Sequence, residues 1–204
     1  MRRRKNTNII PIIILIIAII AFIGCGALLL MGLGFFETYD TVTDVAEYQN
    51  VIGDKAIDVY QDKWGMDEEI FPASVDGLNV EDFKMIHYDP FDEQFISYLV
   101  VNYDSESYRA ELERLQELGI DDYEGMFGST GFSYYNLLAM RADSYQGLIY
   151  ALTDNQSRII YVELIFCNYY FDIPYQKEIP LEYLPDGFDA TEDNPYRNQM
   201  LSEH

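Results

Sequence analysis

Histidine and cysteine are scarce in this sequence, with two of each among 204 residues. An ordinary zinc site needs several of these side chains at short, fixed spacing, and no such group occurs. A catalytic triad would have to use His87, and the G-x-S-x-G sequence that presents a nucleophilic serine is missing. On these grounds we expect no catalytic residues, no metal and no cofactor.

The two cysteines are not expected to form a disulfide bond. Cys25 lies in an apolar run near the amino terminus, whereas Cys167 lies in a strand-like segment far along the chain. No basic or histidine side chain stands near Cys167 in the sequence to activate its thiol. The pattern therefore predicts a small, buried or half-buried core residue rather than a reactive thiol.

Basic side chains are also few. The chain has 13 Lys and Arg against 35 Asp and Glu, and four of the bases lie at residues 2–5. The rest of the chain therefore has nine bases against 35 acids, a net charge of −26. Such a surface repels the phosphates of nucleic acid, so we expect no nucleic-acid partner. An acidic surface keeps a domain soluble, and it can also attract calcium or a cationic partner.

The longest stretch without a charged side chain is residues 9–36. As a helix it would be roughly 42 Å long, and the hydrocarbon core of a bilayer is roughly 30 Å thick. A single run can cross lipid only as a helix, because its backbone must hydrogen-bond to itself. Basic residues that flank a first span stay in the cytoplasm. We therefore predict a cytoplasmic amino terminus at residues 1–8, a transmembrane helix at 9–36, and the remainder outside the cell membrane.

Processing of the apolar run is the alternative to a retained helix. Residues 22–25, Phe-Ile-Gly-Cys, resemble a loose bacterial lipobox in which Cys25 would be lipidated. Apolar residues continue after Cys25, where a mature lipoprotein has a polar tether and where a cleaved secretory signal would end. Small residues in the run could pair two copies of the helix, so a homodimer through the span is left open.

Aromatic residues are abundant after the apolar run, which contains none of the 18 Tyr. Disordered chains lack aromatic and β-branched residues, so most of this region is expected to fold. Its length suits one domain with a core. We predict a juxtamembrane neck at 37–53, an extracytoplasmic α+β domain at 54–188, and a loose polar tail at 189–204.

Alternation of apolar and polar residues predicts five strands, at 83–89, 95–103, 135–141, 147–153 and 158–170. The strand at 158–170 has an unbroken apolar face, which is typical of a sheet centre. Short links between strands favour antiparallel neighbours. We therefore predict an antiparallel sheet of about five strands with a helix packed on one face.

Helical periodicity is clearest at 105–118, where Tyr108, Leu112 and Leu115 form an apolar stripe after a cap at Asp104 or Ser105. Two shorter helices are predicted before the sheet. The first follows Asp44 and ends at Gly53, and the second runs from Asp54 to Gly65 with Lys63 on its solvent face.

Three groups of side chains are candidate binding residues. His87 and Asp89 share a strand face, so the carboxylate could orient the imidazole ring. Ser129 and Thr130 lie in a glycine-rich loop, 125–131, which lacks the lysine and the helix of a phosphate-binding loop. Carboxylates are dense from residue 186 onward, and their oxygens suit calcium although the spacing does not fit an EF-hand. The calcium candidates are Asp186, Asp189, Glu192 and Asp193.

Together these patterns predict a single-pass membrane protein that presents an acidic, aromatic-rich, non-catalytic domain to an unidentified protein or envelope component. The alternative is a membrane-anchored hydrolase that uses carboxylates, with His87, on a cell-surface polymer. A buried carboxylate with a raised pKa beside His87 would favour the hydrolase. A shallow surface lined by tyrosines would favour binding.

Overall fold

The structure, a computed structural model, describes residues 39–53, 55–56, 60, 63, 66, 69–89 and 92–203. The predicted span at 9–36, including Cys25, lies outside these residues, and so does most of the predicted helix from Asp54 to Gly65. No helix within the described ranges is long and apolar enough to cross a membrane.

One antiparallel sheet of six strands dominates the domain. The strands are β1 Tyr39–Val42, β2 Asn79–Tyr88, β3 Gln94–Asn102, β4 Asn136–Asp143, β5 Gly147–Thr153 and β6 Arg158–Ile165. Their spatial order is β1-β2-β3-β6-β5-β4, and each pair of neighbours is antiparallel. The predicted antiparallel α+β architecture is confirmed. The central position of β6, between β3 and β5, agrees with its apolar face.

The sixth strand, β1, lies in the segment predicted to be a polar neck. Its side chains are mostly exposed, so its sequence has no apolar alternation that would indicate a strand. It forms on the outer edge of β2, where Tyr39 pairs with Tyr88 and Val42 with Met85. The Tyr39 ring also stacks on Tyr88, with ring centroids 4.9 Å apart. Edge pairing and one aromatic contact therefore stabilise a strand that periodicity cannot reveal.

Three α-helices are described: α1 Tyr48–Val51, α2 Ser105–Leu118 and α3 Pro195–Ser202. A 3-10 turn at Val45–Glu47 leads into α1, and the Asp44 carboxylate accepts a hydrogen bond from the backbone N–H of Ala46 at 2.9 Å. Asp104 caps α2 in the same way, as its sequence predicts. Further 3-10 turns are Met126–Gly128, Tyr175–Lys177 and Leu181–Tyr183.

Both faces of the sheet are covered by other parts of the chain. One face, here called the helical face, packs against α1, α2 and residues 69–75. The opposite face, here called the loop face, packs against residues 123–135 and 166–200, which contain little regular structure apart from α3. The predicted packing of a helix on one face is therefore correct.

The carboxyl-terminal segment is ordered, which differs from the loose tail predicted from residue 189. The buried Asn194 side chain accepts a hydrogen bond from the backbone N–H of Arg197 at 2.7 Å and so caps α3. Its amide group donates to the carbonyl oxygen of Tyr169 at 2.9 Å. Tyr196 and Met200 pack against the loop face. One buried, fully bonded asparagine thus fixes a segment whose composition is polar.

Candidate functional site

His87, Asp89 and Glu93 come together where the β2–β3 hairpin turns. Alternation along β2 puts His87 and Asp89 on one side, and Glu93 directly precedes β3. An imidazole nitrogen and one oxygen from each carboxylate all lie within 4.8 Å of one another. His87 Nε2 is 3.9 Å from Glu93 Oε1. The shared face of His87 and Asp89 is visible in the sequence, whereas the approach of Glu93 is not, because Glu93 lies on the other side of the hairpin.

Neighbouring rings hold the His87 imidazole in place. It stacks on Phe95 with centroids 4.8 Å apart and planes inclined by 14°. Tyr60 contacts it edge to face at 5.4 Å. The residue is 5% exposed, and its Nε2 atom has no hydrogen-bond partner in the part of the chain that the structure describes. Burying such an atom without a partner costs about 1–3 kcal/mol relative to water.

Several carboxylates give the surroundings of His87 a negative charge. Cross-strand pairing puts Asp40 of β1 opposite His87. Burial raises the pKa of Tyr60 above its usual value, and the charge of Asp40 raises it further. Asp40, Asp89 and Glu93 therefore contribute three carboxylates around one imidazole, an arrangement that favours a cation over an anion.

A buried ion pair lies on the same face of the sheet. Lys63 Nζ is 2.9 Å from Glu163 Oε2, and neither side chain is exposed to solvent. Ser97 donates a hydrogen bond of 3.4 Å to the other oxygen of Glu163. The prediction that Lys63 faces solvent is wrong, because Glu163 on the central strand needs a cation when it is buried. The ammonium also lies 5.4 Å from the centre of the Phe95 ring.

Tyrosine hydroxyls extend this polar layer along the helical face. Tyr161 donates a 2.6 Å hydrogen bond to Glu111, and its oxygen is 2.7 Å from that of Tyr103. Arg114 binds the same Glu111 carboxylate at 2.6 and 2.8 Å. Burial raises the pKa values of Tyr103 and Tyr161 well above their usual range. These hydroxyls therefore stay protonated and act as hydrogen-bond donors rather than as bases.

The glycine-rich loop 125–131 is fastened to a second turn of the chain. The Thr130 backbone N–H donates to the Asp186 carbonyl at 2.9 Å, and the Asp186 N–H donates to the Gly131 carbonyl at 2.8 Å. Ser129 is fully buried, and the Thr130 hydroxyl donates to the Asp186 carbonyl at 3.1 Å. Ligand binding by Ser129 and Thr130 stays a prediction, and the contacts just described are structural.

The four calcium candidates do not converge among the described residues, in contrast to the group around His87. Asp186 accepts a 2.6 Å hydrogen bond from the Ser133 hydroxyl. Asp189 accepts hydrogen bonds from the backbone N–H and the hydroxyl of Thr191 at 3.0 and 2.6 Å. Glu192 and Asp193 are exposed. The Asp186 carboxylate therefore already joins two distant segments, and that of Asp189 stabilises a local turn.

Cys167 is buried, as its position in an apolar strand pattern predicts. Burial, together with the nearby Asp92 carboxylate, raises the pKa of its thiol to about 12, so the thiol stays protonated. Burial also raises the pKa of Asp172, which accepts a 2.8 Å hydrogen bond from Gln94. Gln94 directly precedes Phe95 on β3 and so lies on the face opposite to His87. The raised carboxyl is thus not beside the histidine.

No known protein family matches the chain, and comparisons with curated proteins and with solved structures find none that is similar to it.

Proposed function

We propose that the chain is a single-pass membrane protein whose short basic end lies in the cytoplasm and whose acidic domain lies outside. In this proposal the domain binds a cationic protein or envelope component and catalyses no reaction. The apolar run 9–36, preceded by four basic residues, supports the anchor and its orientation.

The binding proposal is supported chiefly by the ion pairs that the basic side chains form within the domain. Five of the nine basic residues after the apolar run form ion pairs with carboxylates of the same domain. The pairs are Lys63–Glu163, Lys84–Glu178, Arg114–Glu111, Arg141–Asp121 and Arg158–Glu81. Arg197 donates instead to the backbone carbonyls of Asn168 and Glu192. Most of the positive charge is therefore used internally, and the surface offers a cation an excess of carboxylates.

Exposed aromatic residues add contact area to this acidic surface. Tyr134 is 73% exposed, and Tyr39 and Tyr145 are also exposed. A tyrosine ring gives a rigid contact at a small loss of side-chain entropy, and its hydroxyl adds a hydrogen bond. The hydrolase alternative has less support, because the raised carboxyl, Asp172, lies away from His87.

The anchor is tested by extraction of membranes with alkaline carbonate. Wild-type protein and the Cys25→Ala variant should both stay in the membrane pellet, because the proposal needs a retained helix and no lipid on Cys25. An Ile16→Lys/Ile20→Lys variant should be lost from the pellet, since each central charge disfavours insertion by about 2.5–3.5 kcal/mol. The matched control Ile16→Leu/Ile20→Leu keeps the run apolar and should behave as wild type. Release of Cys25→Ala alone would instead support the lipoprotein alternative.

Binding is tested with oligolysine as the cationic probe and the full chain in detergent micelles. We expect saturable binding at physiological ionic strength, where the Debye length is about 8 Å, and weaker binding as salt is raised. Oligoglutamate is the control probe and should not bind. Oligolysine that fails to bind at physiological salt would contradict the proposal of a cationic partner.

A further inference from the structure

The buried imidazole nitrogen of His87 lies close to the carboxylates of Asp89 and Glu93. Ring stacking on Phe95 and the edge contact with Tyr60 fix the plane of the imidazole. Its Nε2 atom is buried and has no hydrogen-bond partner within the described residues. The carboxylates lie at the open side, since Asp89 is exposed and Glu93 is half-buried. One buried nitrogen donor thus lies within 4.8 Å of two carboxylate oxygens at the more open side of the group.

We propose that His87, Asp89 and Glu93 bind one divalent transition-metal ion, such as Zn²⁺ or Mn²⁺. This inference does not depend on the proposed membrane anchor or on the cationic partner. It also differs from the sequence-based expectation of no metal, which counted histidines and cysteines and did not see the two carboxylates join His87.

The distances fit such an ion after a small movement. Ligand atoms bound at about 2.1 Å to a tetrahedral ion are about 3.4 Å apart. The three candidate atoms now lie within 4.8 Å, and Nε2 is 3.9 Å from Glu93 Oε1. Side-chain rotations that move the two carboxylate oxygens by about 1 Å would close the group around the ion. The imidazole does not need to move, so it can act as the fixed point of the site.

The donor set selects the class of ion. Calcium prefers an all-oxygen set of six to eight ligands, whereas imidazole nitrogen suits zinc and other transition ions. Three protein ligands leave further positions for water or for a group of a bound molecule. The nearest buried cation, Lys63, is paired with Glu163, and Asp40 adds a further negative charge opposite His87. The local field therefore favours a cation.

Calorimetry with Zn²⁺ alone, on the full chain in detergent micelles, tests the site. We expect binding of one ion per chain that is lost in His87→Phe, which keeps the ring stack but removes the nitrogen. Glu93→Gln and Asp89→Asn should each weaken binding by at least about tenfold, the lower end of the loss seen even for outer-shell partners. Asp193→Asn removes an equal charge elsewhere and should leave the affinity within about twofold of wild type. Ca²⁺ should bind far more weakly than Zn²⁺.

Histidine NMR gives a second test, because Zn²⁺ that is attracted only generally to the acidic surface would not shift the His87 ring signals. The chain has only His87 and His204, so their ring signals can be assigned by one substitution. Zn²⁺ should shift the His87 signals in wild type and in Asp193→Asn. Equal Zn²⁺ affinity in all variants, or unchanged His87 signals at saturation, would overturn the proposal. Should His87→Phe fail to fold, the two carboxylate variants alone decide the outcome.

Discussion

The two faces of the sheet are buried by different means. The helical face contains a charged pair, Lys63–Glu163, and a chain of hydroxyls that ends on Glu111. The loop face relies on aromatic packing, in which the Phe127 ring meets Phe166 edge to face at 4.9 Å. Its ion pair, Lys84–Glu178, remains partly exposed. The fully buried ion pair therefore lies on the helical face, whereas the ion pair of the loop face is partly exposed.

The two faces also differ in the elements that hold their side chains. Glu163 on β6 and Glu111 and Arg114 on α2 are polar groups of the helical face that regular elements hold in position. The irregular segments of the loop face have no such ladder, and ring contacts and backbone bonds between turns hold them instead. The candidate metal site lies on the helical side of β2, next to the buried ion pair. The proposed metal ligands thus lie on the same side of the sheet as the buried ion pair.

The largest expected effect comes from breaking the buried ion pair. Lys63→Met leaves the Glu163 carboxylate buried with the 3.4 Å Ser97 bond as its remaining described contact. The free energy of unfolding should fall by about 3–5 kcal/mol, and Lys63→Met/Glu163→Leu should recover much of this loss. Lys84→Met on the loop face is the control and should cost at most about 1 kcal/mol. Denaturant unfolding measures all three. Equal losses of unfolding free energy for Lys63→Met and Lys84→Met would contradict the claim that the two faces are buried by different means.

A turn-to-turn contact should be the most sensitive point of the loop face. Gly128 has φ +76°, and a Cβ atom there would lie 2.6 Å from the Gly187 carbonyl oxygen. Gly128→Ala should lower the free energy of unfolding by about 2–3 kcal/mol, through left-handed backbone strain plus this clash. Gly77→Ala has the same backbone strain at φ +78° but open space around it. It should cost less, about 1–2 kcal/mol, and equal losses would show that the two turns separate readily.

Removal of single hydroxyls gives a smaller contrast between the faces. Tyr161→Phe removes a donor to the charged Glu111 on the helical face and should cost about 1.5–3 kcal/mol. Tyr150→Phe on the loop face removes one bond to the Tyr183 carbonyl and should cost about 0.5–1.5 kcal/mol. Thermal or denaturant unfolding compares them directly. A larger loss for Tyr150→Phe would contradict the view that the charged network is the stronger one.

The smallest effect is a pH dependence at Asp172. Burial raises its pKa in the folded state, so its contribution to folding is present below the unfolded pKa and is lost as pH rises through the folded value. Asp172→Asn should therefore raise the melting temperature at pH 7 and change it little at pH 3. Asp104→Asn is the opposite control, because hydrogen bonds from Ser107 lower the pKa of Asp104. That variant should lose stability at pH 7 rather than gain it.

The regular parts of the fold were readable from the sequence, whereas contacts between distant segments were not. Helix α2 has the predicted bounds because a cap, an apolar stripe and Gly119 all agree. Strand β1 and helix α3 were missed, since β1 depends on the edge of β2 and α3 on the burial of Asn194. Glu163 stands in an apolar strand, and no local signal indicated that Lys63 would reach it.

The candidate site follows the same rule. The shared strand face of His87 and Asp89 was visible as a period of two. Glu93 was not, because its approach depends on the geometry of the hairpin turn rather than on spacing. A count of histidines and cysteines also leaves out carboxylates, which can serve as transition-metal ligands.

The central claim is that the acidic domain stands outside the membrane and the basic end inside. Maleimide labelling of intact bacterial cells tests this most directly, in a Cys25→Ala background where Cys167 is buried and its thiol pKa is about 12. A membrane-impermeant maleimide should label Ser202→Cys in intact cells and Thr7→Cys only after permeabilisation. Labelling of Ser202→Cys only after permeabilisation would place the domain inside and contradict the account.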